Sequence, residues 1–578
     1  MVGRHCQRNF PLPVDSLFLH PPHIGLIRAT RGAVLLLLLA GCDKSSPVPS
    51  ASPGGTLVIA ISADPAVLFP PLILKTQARQ IAEVIYDYLA VVGPGLNTIG
   101  DVGFEPRLAE TWKWSDDSLS IAFRIHRKAR WHDGVKADAE DVRFTFAVYT
   151  NKQLGSPMAD ELRNIDSVTA RDSATAVFWY HTRTPHQFLD ATEMMILPRH
   201  ILERVPADSL REMGTRASPI GTGRFRFRSW NRGSSVEVAA DTGNYRGAPG
   251  LRRVIWSVTH DQAAAVTRLI AGDVDFYPAL SRENVDEVKA HRELRVISLP
   301  STDYGFMMFN LRDPKQHARA HEIFRSRELR RALTMAVDRN AMVRNLFDTL
   351  GLVAIAPTVR VFPTTDSRLP QIPYDPRRAS AILDSLGWVA TPPGGYRKRS
   401  GRELAFNLLA PSSSQIRMRM AVLLQEQLKQ MGVRVRIEQM EFNTFTSRLE
   451  THDFDATIWS WNLGASATAI RETWTGPAAR QKGGLNYGSY ENAAFDAYVD
   501  SATSTMNLAA SKDYFTKAYR LIIDDAPAIW LYEPRTVIGL HRRVRTGRMR
   551  PDAWWFDLGS WHIPKSEEIA RDRISGAQ

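Results

Sequence analysis

The sequence predicts a two-lobed α/β protein with a ligand cleft between its lobes. The chain has 578 residues, of which 44% are hydrophobic. At roughly 100–200 residues per domain this is enough for about three domains or two large lobes. Strand and helix patterns alternate in two separate regions, before and after about residue 310. Alternation of this kind indicates parallel sheets with right-handed crossovers, and two such regions in one chain imply a cleft between them.

The first region begins with a strand over residues 55–60 and a helix over 76–89. Residues 112–125 alternate in two pieces around a polar turn, which predicts a β-hairpin. Asp138 is a helix N-cap by its type and position, and the helix extends to about residue 150. Residues 251–276 then predict a strand, a helix closed by Gly272 and a second short strand.

The second region repeats the pattern. A helix is predicted over residues 326–337, and another begins at Asp375 with proline in its first turn and ends at Gly387. Residues 404–439 form the best-defined unit, because Leu404, Phe406 and Leu408 alternate as a strand before a helical pattern and a further alternating strand. The unit therefore predicts strand, helix and parallel strand in sequence.

The N-terminus predicts export. Two arginines precede an apolar run over residues 33–40 that is too short to span a bilayer but has the length of a signal-peptide core. The run ends in Leu39-Ala40-Gly41-Cys42, which resembles a bacterial lipobox; the alternative is a signal peptide that merely contains a cysteine. We predict a signal peptide over 1–41, lipidation of Cys42, a flexible Ser/Pro/Gly-rich linker over 42–55 and a membrane-anchored location in the cell envelope or periplasm.

Asp43 resembles an inner-membrane retention signal, but the choice between inner and outer membrane stays open. Residues 1–27 extend the signal peptide beyond the usual length, so a later start nearer Leu26 is the alternative.

Composition excludes several classes of function. The net charge is +12, but the arginines are scattered, and together with the export signal this argues against nucleic-acid binding. The only cysteines are Cys6 and Cys42, so the body has no disulfide framework and no cysteine-based zinc site. The sequence contains no His-Glu-x-x-His and no Gly-x-Ser-x-Gly motif. We therefore predict a monomer without catalytic residues, metal or cofactor.

Several blocks then identify a family. They share turns, caps and packing positions, and they occur in order along the chain: Glu105-Pro-Arg-Leu-Ala-Glu-Thr-Trp-Lys-Trp, Trp131-His-Asp-Gly, Gly221-Thr-Gly-Arg-Phe, Leu269-Ile-Ala-Gly-Asp-Val-Asp, Phe309-Asn-Leu-Arg, Leu329-Arg-Arg-Ala-Leu-Thr-Met-Ala-Val-Asp-Arg, Tyr374-Asp-Pro and Asp453-Phe-Asp. Over about residues 55–540 the chain resembles the family 5 solute-binding proteins, the dipeptide, oligopeptide and nickel class of ABC importers.

The resemblance implies a periplasmic-binding-protein-like fold of type II, similar to cluster C, with an extra inserted subdomain. It assigns residues 56–90, 201–310 and 531–578 to lobe I, 91–200 to the inserted subdomain of lobe I and 311–530 to lobe II. It implies capture of a peptide or peptide-like solute in the cleft by closure of the lobes. The implied partners are an ABC permease, its ATPase and, through lipid at Cys42, the membrane.

The resemblance also directs attention to the stretch after Asp453-Phe-Asp. In peptide binders of the family an acidic residue in this stretch pairs with the ligand ammonium, but here Gly464 occupies that position. Asp64 matches another acidic residue of the family and is the alternative partner. The remaining candidate ligand contacts are Trp459 and Trp461, which would share one face of a strand, Asn462 and Arg471.

The missing acid keeps other functions open. A receptor of the same fold for a nickel chelate or an oligosaccharide is compatible with Gly464. A sensor component of the envelope would need the same closure. An envelope hydrolase anchored by lipid is disfavoured because no nucleophile and base motif is present.

Overall fold

A 12-stranded mixed sheet runs through both lobes of the protein. A computed structural model describes residues 53–216, 218–390, 392 and 394–573. The predicted signal peptide and Cys42 lie outside these residues. With the strands numbered in chain order and their ranges given below, the order across the sheet is β19-β18-β20-β13-β21-β11-β1-β10-β9-β8. Strands β12 and β14 also pair with β21.

The first strand of lobe I is β1, and all of its residues are buried. It pairs in parallel with β10. The strands of lobe I in this sheet are β1 (Thr56–Ile61), β8 (Phe225–Asn231), β9 (Ser235–Ala240), β10 (Arg253–Val258), β11 (Phe276–Tyr277) and β12 (Leu294–Pro300). Its helices here are α1 (Thr76–Ile85), α6 (Gln262–Ala271) and α7 (Arg282–Ala290). The Asp261 carboxylate caps α6, and Gly272 ends it with a φ of +82°. The predicted strand, helix and strand over 251–276 are confirmed.

The inserted subdomain carries a four-stranded antiparallel sheet in the order β4-β5-β7-β6 and a separate hairpin of β2 and β3. Its strands are β2 (Ala90–Val92), β3 (Phe104–Pro106), β4 (Ala109–Trp114), β5 (Ser120–Ile125), β6 (Ile165–Asp172) and β7 (Thr175–Tyr180). Its helices, with those that lead back to lobe I, are α2 (Ala139–Tyr149), α3 (Gln187–Thr192), α4 (Arg199–Leu202) and α5 (Ala207–Arg216). The predicted hairpin and the cap at Asp138 are confirmed.

Lobe II contains the predicted unit over 404–439: β18, α11 and β19, with the two strands parallel. Its strands are β13 (Asp303–Phe309), β14 (Gly351–Leu352), β15 (Val389–Ala390), β16 (Arg397–Arg399), β17 (Arg402–Glu403), β18 (Ala405–Pro411), β19 (Arg434–Met440) and β20 (Ala456–Asn462). Its helices are α8 (Arg327–Met335), α9 (Arg339–Phe347), α10 (Pro376–Ser385), α11 (Gln415–Gln430), α12 (Phe442–Glu450), α13 (Ile470–Trp474), α14 (Gly476–Arg480), α15 (Ala493–Ser504) and α16 (Leu508–Asp525).

One long strand, β21 (Ala528–His541), joins the lobes. Its first part pairs with β13 of lobe II, and its second part pairs with β12 and β11 of lobe I. The chain therefore passes between lobes at residues 301–302 and again at 533–534. The Ser301 hydroxyl donates to the Pro534 carbonyl at 2.8 Å and ties the two crossings together.

The crossings correct one predicted boundary. We assigned residues up to 310 to lobe I, but β13 pairs with β20 along its whole length and so belongs to the sheet of lobe II. A strand takes the lobe of its hydrogen-bonded neighbours, and no local pattern in residues 303–309 shows which neighbours those are.

Candidate functional site

A cavity of about 1360 Å³ lies between the two lobes. Lobe I contributes α1, parts of the inserted subdomain and residues 550–559, and lobe II contributes residues 463–504. Pockets for drug-sized ligands usually measure about 300–1,000 Å³. This cavity is therefore large enough for a solute of several residues.

The lobe II wall begins where β20 ends. Gly464 lines the cavity with a φ of +58°, and a Cβ atom built on it would meet nothing within 4 Å. The Asn462 side-chain oxygen accepts from the Gly464 N–H at 3.1 Å and shapes this turn. The position thus faces open space and offers no carboxylate, as the sequence indicated.

Arg471, on α13, also lines the cavity, but it already has an acidic partner. Its Nη2 lies 2.9 Å from Asp500 Oδ1, and its Nε donates to the Thr503 hydroxyl at 2.7 Å. A ligand carboxylate would compete with Asp500 for this guanidinium.

Trp459 and Trp461 share one face of β20, as expected, with ring centroids 5.6 Å apart. Trp459 stacks on Phe445 at 5.4 Å, and Trp461 stacks on Tyr487 at 5.8 Å. Both side chains are half-buried, and neither lines the cavity, whose lobe II wall starts with the residues that follow them. The two rings support the strand from which the cavity loop starts, and their contact with a ligand stays a prediction.

Asn462 has the same supporting role. Its side-chain nitrogen donates to Asp303 at 3.0 Å, while its oxygen holds the Gly464 turn. Both of its polar atoms are therefore engaged within the protein.

Asp64 lies in the loop after β1 and is not among the residues that line the cavity. Its carboxylate accepts hydrogen bonds from the Gly233 N–H at 2.7 Å, the Ala66 N–H at 3.0 Å and the Trp230 indole at 3.1 Å. Partial burial by itself would raise the pKa of this carboxyl group, but the three hydrogen bonds and the charge of Arg232 together lower it. The carboxylate expected to receive a ligand ammonium is therefore already bound to the β8–β9 hairpin.

Some acidic groups of the cavity come from the inserted subdomain, and none of these was among the predicted site residues. Asp190, on α3, and Glu193, just after it, are half-buried in the cavity wall, and Glu161 lies nearby. Burial and the charge of Glu193 raise the pKa of Asp190 to about 7. Burial, which outweighs the charge of Arg79, raises the pKa of Glu193 to about 7. A cation in this part of the cavity would be favoured because it would stabilise the charged carboxylates.

A second set of charges is satisfied internally. Asp552 accepts from Arg550 and lies 3.3 Å from Arg79, while Glu83 pairs with Arg79 at 2.7 Å and accepts from the Trp555 indole at 2.6 Å. This network fastens α1 to the C-terminal segment and leaves little capacity for a ligand.

Basic groups line a different part of the lobe I wall. They are Arg107, Arg224 and Arg246, none of which was among the predicted site residues, although the first two stand in the blocks that identified the family. No local signal distinguishes them from the many other arginines of the chain.

Polar side chains of the described residues also join the two lobes. Glu283 of α7 and Arg419 of α11 form an ion pair at 2.7 Å, and the hydroxyls of Thr98 and Ser466 lie 3.4 Å apart. The structure therefore shows the lobes in contact around the cavity.

Over residues 53–573, apart from the masked positions within that range, no group of three or more His, Cys, Asp or Glu side chains is arranged to hold a metal ion. No helix of the same described residues is long and apolar enough to cross a membrane.

Two lobes, a shared sheet with two crossings and a solute-sized cavity between the lobes define a two-lobed binding protein of type II. The chain belongs to the bacterial extracellular solute-binding proteins, family 5, whose sequence model for the middle region matches residues 103–480.

The comparison with individual proteins agrees with this family. The oligopeptide-binding protein AppA of Bacillus subtilis is 26% identical over 549 residues, which cover 92% of this chain and 97% of AppA. The structure of AppA in complex with a nonapeptide superposes with a TM-score of 0.72 at 25% identity, covering 89% of this chain and 99% of that one. NikZ from Campylobacter jejuni, in complex with Ni(L-His), shares the fold with a TM-score of 0.72 at 23% identity, covering 88% of this chain and all (100%) of NikZ. The family and these relatives are binding proteins.

Proposed function

We propose that this protein is the substrate-binding component of an ABC importer and captures peptides or peptide-like solutes between its lobes. The observation that carries the proposal is the interlobe cavity of about 1360 Å³, whose wall carries both carboxylates and guanidinium groups. A peptide presents an ammonium group and a carboxylate group at opposite ends, so such a wall suits it. The oligopeptide-binding relative that spans nearly the whole chain supports the same class of solute.

Capture would proceed by rotation of the lobes about the two crossings. Residues 301–302 and 533–534 are short connections between the lobe I part and the lobe II part of the shared sheet, and hinges usually consist of a few such residues. A solute that contacts both walls stabilises the closed arrangement over the open one, because only the closed arrangement offers both sets of contacts.

Delivery to a permease and attachment to the membrane complete the proposal. Lipidation of Cys42 would hold the protein at the membrane surface, and the Ser/Pro/Gly-rich linker over 42–55 would let the body reach its partner. The partners would be a membrane permease and the ATPase that drives it.

The test is native mass spectrometry of the full chain, purified gently in mild detergent and then denatured to release any bound solute. A heterogeneous set of short peptides in the released fraction is the expected result. A single non-peptide solute, such as a nickel chelate or an oligosaccharide, would contradict the peptide assignment while leaving capture in the cleft intact.

A matched pair of variants locates the solute. Ala465→Trp places a large side chain in the cavity wall, whereas Val102→Trp places the same side chain at a position that is 90% exposed. We expect the first variant to lose the bound mass and the second to keep it. Equal retention by both variants, with unchanged melting temperatures, would show that the solute binds elsewhere.

A further inference from the structure

Three arginines converge on one part of the lobe I wall from distant parts of the chain. Arg107 follows β3, Arg224 precedes β8 and Arg246 follows β9. All three line the interlobe cavity. They come from both the inserted subdomain and the main sheet of lobe I, so only the tertiary structure brings them together.

The carboxylates nearby do not neutralise all three. Asp87 pairs with Arg246 at 2.5 Å. The same carboxylate, with its side chain only 2% exposed, also accepts from the Tyr245 hydroxyl at 2.8 Å and the Thr222 hydroxyl at 3.1 Å. Its capacity to accept further hydrogen bonds is therefore largely used.

Arg224 uses neutral acceptors. Its Nη2 donates to the Ala248 carbonyl at 2.7 Å and its Nε to the Gly247 carbonyl at 3.2 Å. These hydrogen bonds fix the direction of the guanidinium but leave its charge without a directly bonded carboxylate.

Arg107 has still fewer partners. Its guanidinium lies 5.3 Å from the ring centroid of Phe556, and among the described residues no hydrogen bond joins it to an acidic side chain. A guanidinium carries five N–H donors. Those of Arg107 remain available to a molecule in the cavity.

The three charges act on one another. Burial and the charge of Arg246 lower the pKa of Arg107, and burial with the charges of Arg246 and Arg107 lowers the pKa of Arg224 to about 10. Asp557 provides some compensation from the side of the C-terminal segment. An anion placed among these groups would relieve their mutual repulsion.

We propose that Arg107 and Arg224, with Arg246 behind them, form an anion subsite that binds a carboxylate group of the captured solute. Guanidinium groups match the planar carboxylate with paired N–H donors, which makes arginine well suited to this task. The subsite rests on the proposed capture of peptides. The carboxylate is either the peptide C-terminus or an acidic side chain, and the two sources are separated by experiment.

The experiment uses the full chain in mild detergent and two probes: a random tetrapeptide library with free C-termini and the same library amidated at the C-terminus. Captured peptides are identified by mass spectrometry. The variants are Arg107→Gln and Arg224→Gln, and the control is Arg127→Gln, which removes the same charge from an exposed position of lobe I. Circular dichroism melting confirms that each variant is folded.

We expect the unsubstituted protein to prefer the free-acid library about ten-fold or more, the effect of one charge-assisted hydrogen bond. Arg107→Gln and Arg224→Gln should each reduce this preference, and Arg127→Gln should retain it. If the amidated library is captured only as peptides rich in Asp or Glu, and the two variants lose that selectivity, the subsite binds a side-chain carboxylate.

Other outcomes overturn the inference. Equal capture of both libraries without selection for acidic residues would refute the subsite while leaving peptide capture standing. A preference that survives both variants would assign carboxylate binding to other residues. Failure to capture peptides from either library would refute the proposed function, and the subsite with it.

Discussion

Gly464 offers a direct way to alter ligand recognition, because Gly464→Asp places a carboxylate in the cavity at the position where the resemblance to the family's peptide binders predicts an acid. The φ of +58° at this residue is in the left-handed region, which aspartate tolerates better than most residues. Open space around the built Cβ means that the new side chain meets no steric barrier. We expect the substitution to be accommodated with a stability loss of about 1 kcal/mol, the usual cost of this backbone conformation.

The expected gain in the free energy of peptide binding is larger than this loss in the free energy of unfolding. A hydrogen bond to a charged group contributes about 1.5–3 kcal/mol, which corresponds to about ten-fold to a hundred-fold tighter binding of a peptide with a free N-terminus. A peptide whose N-terminus is acetylated should gain nothing. The assay is competition between free and N-acetylated tetrapeptide libraries for the full chain, read by mass spectrometry.

Gly483 provides the matched control. It also lines the cavity, has a φ of +74° and would place a Cβ in open space, so Gly483→Asp adds the same charge with a similar backbone cost. We expect a gain in affinity only from the substitution at Gly464. No change in the preference for a free N-terminus, or an equal change in both variants, would refute the idea that this position faces the ligand ammonium.

Further predictions concern stability, pH, closure and attachment. Asp275 is fully buried, accepts a hydrogen bond from the Val58 N–H and pairs with two arginines. Asp275→Ala should therefore lower the free energy of unfolding by about 3–5 kcal/mol in denaturant titrations. Asp273 is an exposed neighbour, and Asp273→Ala should change the free energy of unfolding little. The pKa of Asp190 is raised to about 7 in the folded protein, so its contribution to stability is full below about pH 4 and is lost as the pH rises through 7. Asp190→Asn should therefore raise the melting temperature at pH 8 and not at pH 4, and an equal shift at both pH values would contradict this assignment. Glu283→Gln removes the ion pair with Arg419, whose two side chains are about half exposed. Such pairs contribute about 1 kcal/mol or less, so solute binding should weaken by no more than about five-fold in calorimetric titrations. A larger loss of affinity would mean that this contact controls closure of the lobes. Cys42→Ser should move the protein from the membrane fraction to the soluble fraction after cell lysis, and retention at the membrane would show that lipid at this residue is not the anchor.

Local signals predicted the elements of the fold well. The cap at Asp138, the stop at Gly272 and the unit over 404–439 all occur where hydrogen-bonding capacity and side-chain periodicity placed them. These features depend on residues within a few positions of one another, so they can be read without knowledge of the tertiary structure.

Site residues were harder to predict because local spacing does not show which face of an element meets a cavity. Trp459 and Trp461 do share a face of β20, but that face packs against Phe445 and Tyr487. Asp64 lies in a loop, but its carboxylate already accepts hydrogen bonds from the β8–β9 hairpin. Arg471 does line the cavity, but its guanidinium forms an ion pair with Asp500, which lines the same cavity.

The sequence by itself determined the α/β elements, the family and the lack of an acid at Gly464, because each depends on residue type and near-neighbour order. Only the tertiary structure decided that β13 belongs to lobe II and that Arg107, Arg224 and Arg246 line one wall of the cleft. The physical reason is that strand partners and cavity walls are chosen by packing between segments far apart in the chain. The free energy of that packing depends on buried area and charge compensation across the whole body, which no single stretch of sequence contains.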